Sequence, residues 1–120
     1  MVPVVCASGG GKGRLRRALE QTLHPLPADI QVLETADFTD IAAAARQVQP
    51  DLIIGHSKGY SLARELKIPL VRVGFPIHDR LGAARILHVG YRGAQQLFDR
   101  VVNAVLETKQ DESEVGYSYV

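Results

Sequence analysis

What most limits this chain is an alternation repeated four times: a short apolar run followed by a stretch with helical spacing. The runs at 2–7, 30–33, 52–54 and 69–73 are too short for buried helices and rich in valine, isoleucine and leucine, which marks strands. Leu15, Ala18, Leu19 and Leu23 then fall on one helical face, as do Phe38, Ile41, Ala42 and Ala45. A third helix is expected over 57–66, with Leu62, Ala63 and Leu66 inward. The last helix has the clearest period, through Ala94, Leu97, Phe98, Val101, Val102, Val105 and Leu106.

The punctuation agrees with these elements. His24-Pro25-Leu26-Pro27 ends the first helix and Pro50 the second, because proline lacks the N–H a helix interior needs. Asp37 stands where a cap belongs, with Asp40 three residues on, in a pattern resembling a capping box. Continuously apolar strands alternating with helices imply a parallel sheet covered on both faces. The expected fold is therefore α/β: a doubly wound, Rossmann-like sheet of four parallel strands in the order 2-1-3-4, helices on both faces. Residues 1–107 are expected to form one domain, and the polar, acidic stretch 108–120 a mobile tail.

Charge and cysteine content exclude several classes of function. Fourteen Lys and Arg against 13 Asp and Glu leave a net charge of +1, which argues against a general nucleic-acid binder. The one cysteine, Cys6, sits in an apolar run and reads as a strand thiol; a single thiol makes no internal disulfide and no all-cysteine cluster site. His24, His56, His78 and His88 include no pair at the spacing of a helical metal site. No metal site is expected in this chain alone. No apolar run approaches the roughly 20 residues of a membrane helix, and no signal peptide is evident, so a cytoplasmic location is expected.

In a doubly wound sheet, ligands gather at the carboxyl ends of the strands, near the switch point. Two glycine-bearing loops are expected there. The first, Ser8-Gly9-Gly10-Gly11-Lys12-Gly13-Arg14, precedes a helix but has the spacing of neither a phosphate loop nor a dinucleotide fingerprint. The second is Gly55-His56-Ser57-Lys58-Gly59-Tyr60, where Ser57 is placed to cap a helix and Lys58 opposes the helix dipole. Gly10, Gly11, Lys12, Gly13, Arg14, His56, Ser57, Lys58 and Gly59 thus form a candidate anion- or cofactor-facing rim. A solvated basic rim is the plainer alternative. No catalytic residue is assigned: Ser57 with a histidine and Asp79 suggests a triad, but the Gly-x-Ser-x-Gly elbow is missing.

The stretch 74–89 has no period and is long for a connection, as functional loops often are. Asp79 and Arg80 are expected to brace it through hydrogen bonds to the backbone or to each other.

Three segments together carry a family resemblance. They are 51–60 (Asp-Leu-Ile-Ile-Gly-His-Ser-Lys-Gly-Tyr), 68–80 (Ile-Pro-Leu-Val-Arg-Val-Gly-Phe-Pro-Ile-His-Asp-Arg) and Gly90-Tyr91-Arg92-Gly93. The ordered set resembles the third domain of nitrogenase component 1 proteins. Gly74, Phe75, Pro76, Asp79 and Arg80, followed by Gly90, Tyr91 and Gly93, look like its β-type branch. That branch holds the catalytic β subunit (NifK) and the cofactor-assembly scaffold subunit (NifN). Leu81-Gly82-Ala83 after Asp79-Arg80 favours the NifN-like kind.

The resemblance implies a doubly wound domain, an α-type (NifE-like or NifD-like) partner subunit, and an iron–molybdenum cofactor or its precursor in the parent assembly. It also implies that the cluster cysteines of the family lie in a domain this chain lacks. The position of the α-type cofactor histidine falls near Gly74, which has no side chain to ligate a metal. The chain is therefore expected to be a non-catalytic scaffold-type domain, cut from or a truncated relative of a NifN-like protein, with its ending a natural C-terminus. A stand-alone anion- or nucleotide-binding module, a piece of the catalytic β subunit and a homo-oligomer stand as alternatives.

Overall fold

A computed structural model of the chain describes residues 4–114. The chain divides into two compact units, Met1–Pro50 and Asp51–Val120, each described here by itself.

In the first unit, β1 (Val4–Ser8) leads through α1 (Arg14–Thr22) to β2 (Ile30–Glu34), and α2 (Phe38–Val48) follows. The strands pair in parallel, Val4 opposite Ile30 through Ser8 opposite Glu34. Residues 2 and 3 of the expected first strand lie outside the described residues. α1 packs on β2 and α2 on β1, with Ala42 and Ala44 buried. The capping box forms although its third position is Asp. The Asp40 N–H donates to Asp37 Oδ1 at 2.9 Å, and the Asp37 N–H donates to Asp40 Oδ2 at 3.1 Å. Left-handed Gln49 closes α2 ahead of Pro50.

In the second unit, β3 (Ile53–Gly55) runs into a 3₁₀ turn (Ser57–Gly59) and α3 (Tyr60–Leu66); β4 (Leu70–Arg72) and α4 (Gly90–Glu112) complete it. β3 and β4 pair in parallel, Ile53 opposite Leu70 and Gly55 opposite Arg72. The core is Leu62 and Ala63 of α3 with Val71 of β4, and α4 packs against β4.

The described strands thus form two two-stranded parallel sheets, β1–β2 and β3–β4. Both pairs are neighbours in the expected order 2-1-3-4. Two local expectations change. The third helix begins at Tyr60, not Ser57, because the residues before it take the tighter 3₁₀ turn. The last helix continues past residue 107 to Glu112, through Thr108-Lys109-Gln110-Asp111-Glu112, whose lysine, glutamine and glutamate are good helix formers. The rest of the expected tail, 115–120, lies outside the described residues.

Candidate functional site

The candidate site is a charged network at the carboxyl ends of β3 and β4. Ser57, which the sequence suggested as a helix cap, is turned to another use. Its hydroxyl donates to Asp79 Oδ1 at 2.5 Å and accepts the His78 N–H at 3.2 Å. The cap is supplied instead by His56, whose Nδ1 accepts the Lys58 N–H. Ser57 is buried, and its own N–H donates to the Pro76 carbonyl at 3.1 Å.

Arg72, the last residue of β4, holds the other side of the Asp79 carboxylate. Its Nε lies 3.0 Å from Oδ1 and its Nη2 2.8 Å from Oδ2, the two-pronged geometry suited to a guanidinium. The Arg72 guanidinium also stands 5.8 Å from the centre of the Tyr60 ring, within cation–π range. Arg100 of α4 donates from Nη1 to the Arg72 carbonyl, which fixes β4 against the helix. Arg80 is more loosely placed: it donates to the Asp79 carbonyl at 2.6 Å, lies 3.6 Å from Oδ2, and is 57% exposed.

Hydrogen bonds from Arg72 first, and from Ser57 second, hold Asp79 well below the usual carboxylate range. The sign of the linkage follows. A carboxylate whose pKa is depressed by folding adds stability above its unfolded value and loses it on acidification. The expected result is an Asp79 contribution to stability that is flat above its ordinary value of 3.8 and falls as pH drops below it. The Arg72→Gln variant should lose most of that acid-dependent segment in a urea titration of stability against pH. An unchanged profile in the variant means that the pair is solvated.

The same network pins both ends of the loop at 73–89. Beyond Asp79 and Ser57, Val73 donates to the Gly55 carbonyl, and Gly74 donates to His88 Nε2 at 3.0 Å. Gly74 and Gly90 take φ of +72° and +74°, which favours glycine at both ends. Gly93 serves closeness: a Cβ there would lie 2.9 Å from the His88 carbonyl carbon. The bracing expected of Asp79 and Arg80 is present, but its chief partners, Arg72 and Ser57, were not foreseen. The available signal was an arginine between two valines, Val71-Arg72-Val73, in an apolar strand. The imagined triad does not form: Ser57 meets Asp79 directly, and His78 contributes its backbone N–H.

The two glycine loops belong to different units. In the first, the Glu34 carboxylate accepts the N–H groups of Leu15 at 2.9 Å and Arg16 at 3.4 Å, so a side chain of the protein occupies the start of α1. Gly10 donates to Ser8 Oγ, and Arg17 donates to the carbonyls of Lys12 and Gly13. In the second, the N–H groups of Ser57, Lys58 and Gly59 all have internal acceptors. The cationic side chains of the two loops, Lys12, Arg14 and Lys58, are exposed.

Among the described residues, no group of three His, Cys, Asp or Glu converges as a metal site. Cys6 is half-buried on β1, and the Gly74 N–H is committed to His88. These residues do not fit as ligands of an iron–sulfur or iron–molybdenum cluster, which needs converging thiolates or imidazoles. No helix among the described residues is long and apolar enough to cross a membrane.

Parallel strand pairs crossed over by helices, with a charged network bracing a long loop at the strand ends of the second unit, define a parallel α/β fold. The model of the family described as nitrogenase component 1 type oxidoreductase matches residues 1–106. The chain belongs to the nitrogenase component 1 family. It is 35% identical to a nitrogenase molybdenum-iron protein beta chain of Methanothermobacter thermautotrophicus, over 88% of this chain and 23% of that one. It is 42% identical to the nitrogenase iron-molybdenum cofactor biosynthesis protein NifN of Bradyrhizobium diazoefficiens, over 62% of this chain and 16% of that protein. A solved structure, "Nitrogenase Cp1 at pH 6.5", matches with a TM-score of 0.87 and 30% identity, over 98% of this chain and 26% of that chain. The chain therefore spans about a quarter or less of its relatives' length.

Proposed function

We propose that this domain is a non-catalytic docking module of a β-type component 1 protein of the NifN-like, cofactor-assembly kind. The observation that carries the reading is the surface of the braced loop and the start of α4. Phe75 is 77% exposed, Leu81 100%, Val89 86%, Tyr91 99% and Phe98 66%. Large apolar side chains held out by a polar network are a mark of surfaces that meet other protein. Relatives about four times as long supply the rest of such an assembly, and an α-type subunit is the partner we assign to it. Leu81-Gly82-Ala83 supports the NifN-like kind. Lys12 and Arg14 in the first unit, and Lys58 in the second, each offer positive charge to an acidic partner surface or an anionic precursor of the iron–molybdenum cofactor, with ligands supplied by other chains.

The similarity to molybdenum-iron beta chains favours a second reading, a domain of the catalytic β subunit. Chimeras separate the two. Residues 1–106 replace the matching segment either of NifN or of the β chain, in a nitrogen-fixing strain lacking that gene. The expected result is that the NifN chimera restores molybdenum to component 1 and co-purifies with its α-type partner, and that Phe75→Asp with Tyr91→Asp abolishes both. Restoration by the β-chain chimera alone would assign the domain to the catalytic subunit. Full retention of partner binding by the double substitution would sink the docking surface.

A further inference from the structure

His88 closes the loop at 74–88 in a way that depends on its protonation. Its Nε2 accepts the Gly74 N–H at 3.0 Å, across 14 residues of sequence. Its ring stands 5.8 Å from the Phe75 ring, tilted by 45°. The backbone of His88 is seated directly against Gly93 of α4. A neutral imidazole has one acceptor nitrogen and one donor; this bond therefore requires the tautomer protonated on Nδ1. An imidazolium has two donors and no acceptor, so protonation at Nε2 removes the bond and sets one N–H against another.

From this geometry we propose that His88 is a pH-sensitive latch on the Gly-Phe-Pro segment, closed while the imidazole is neutral and opened when it is protonated. The chemistry limits which other groups can act. The charged groups on the surrounding elements are Arg72 of β4, Asp79 and Arg80 of the loop, Arg85 of the 3₁₀ turn Ala83–Arg85, and Arg92, Asp99 and Arg100 of α4. Arginines keep their charge throughout, and Asp79 is held ionised by Arg72 and Ser57. The groups that exchange an acceptor nitrogen for a donor on protonation are the histidines. In this unit they are His88, His78 on the same loop, and His56, whose Nδ1 accepts the Lys58 N–H at the 3₁₀ turn. The latch is independent of what the loop docks against, because it concerns a bond within the loop.

The test is amide hydrogen exchange at Gly74 in the 120-residue chain, corrected for intrinsic exchange. From about pH 7.5 to about pH 5.5, protection at Gly74 is expected to fall about tenfold or more. In His88→Gln, whose side-chain oxygen supplies an acceptor near Nε2 that does not titrate, protection should stay level. The variants His78→Gln and His56→Gln should behave as the native chain. Level protection in the native chain, or a fall in His88→Gln equal to the native one, overturns the latch. Nitrogen-15 shifts of the His88 ring in the native chain give a second reading that needs no variant. The Nδ1-protonated tautomer is expected above about pH 8, and the Nε2-protonated tautomer there overturns the proposal.

Discussion

Leu62→Ala is expected to destabilise the unit Asp51–Val120 by about 2–5 kcal/mol, the range for deleting a fully packed leucine. Leu62 is 3% exposed and shares the core with Ala63 and Val71, which are 3% and 5% exposed. At Gly59, just before α3, a Cβ would come within 3.2 Å of Leu70 Cδ1, so the turn and β4 already touch with little slack. A truncated side chain therefore leaves a cavity whose walls are strands and a helix fixed by backbone hydrogen bonds. Single domains have only about 5–15 kcal/mol in hand, so this one change removes a large share. Urea unfolding followed by far-UV circular dichroism measures it. A loss under about 1 kcal/mol would mean that the α3 layer collapses into the space, and that the core is less rigid than its packing indicates.

Gly93→Val is the next largest effect, about 1–3 kcal/mol or more by overpacking. The added Cβ would lie 2.9 Å from the His88 carbonyl carbon, 3.3 Å from the His88 nitrogen and 3.4 Å from the Leu87 carbonyl carbon. All three are backbone atoms, so no side chain can rotate away. The first turn of α4 must part from residues 87–88, and the bond between Gly74 and His88 depends on where those residues sit. Loss of stability should therefore come with loss of Gly74 amide protection at neutral pH. Gly93→Ala should show the same two changes to a smaller degree. A stable Gly93→Val chain with native protection at Gly74 would place the contact outside what holds the loop.

The elements were legible because their causes are local. Short apolar runs, a period of 3.6, proline stops and the Asp37–Asp40 box each span a few residues, and the structure has a strand or helix for each of the eight expected. The family was legible in the same way, from ordered runs such as Gly74-Phe75-Pro76 and Gly90-Tyr91-Arg92-Gly93. Local signs were incomplete where they had a distant competitor. Ser57 has the sequence position of a cap, but a carboxylate 22 residues away takes its hydroxyl, and His56 caps the turn. The glycine loop at 9–13 has the look of an anion site, but Glu34 reaches the N–H groups of Leu15 and Arg16 first. The apolar stripe of α4 divides as well: Leu97 and Val101 are half-buried, whereas Phe98 is 66% and Val105 38% exposed.

By itself, then, the sequence determined the kind and order of the elements, the Asp37 cap of α2, the proline stops, and the kinship carried by the loop motifs. Short-range backbone preference and apolar spacing suffice for those. Only the tertiary structure decided which polar groups meet: Arg72 with Asp79, Ser57 with Asp79, Gly74 with His88, Glu34 with the start of α1. Those pairings depend on the parallel register that sets Gly55 opposite Arg72 and Ser8 opposite Glu34, and on the turns that bring the strand ends back. A one-residue slip in register would send Arg72 and Glu34 to the other face of their sheets, and no local pattern records which face a charged residue must share with its partner.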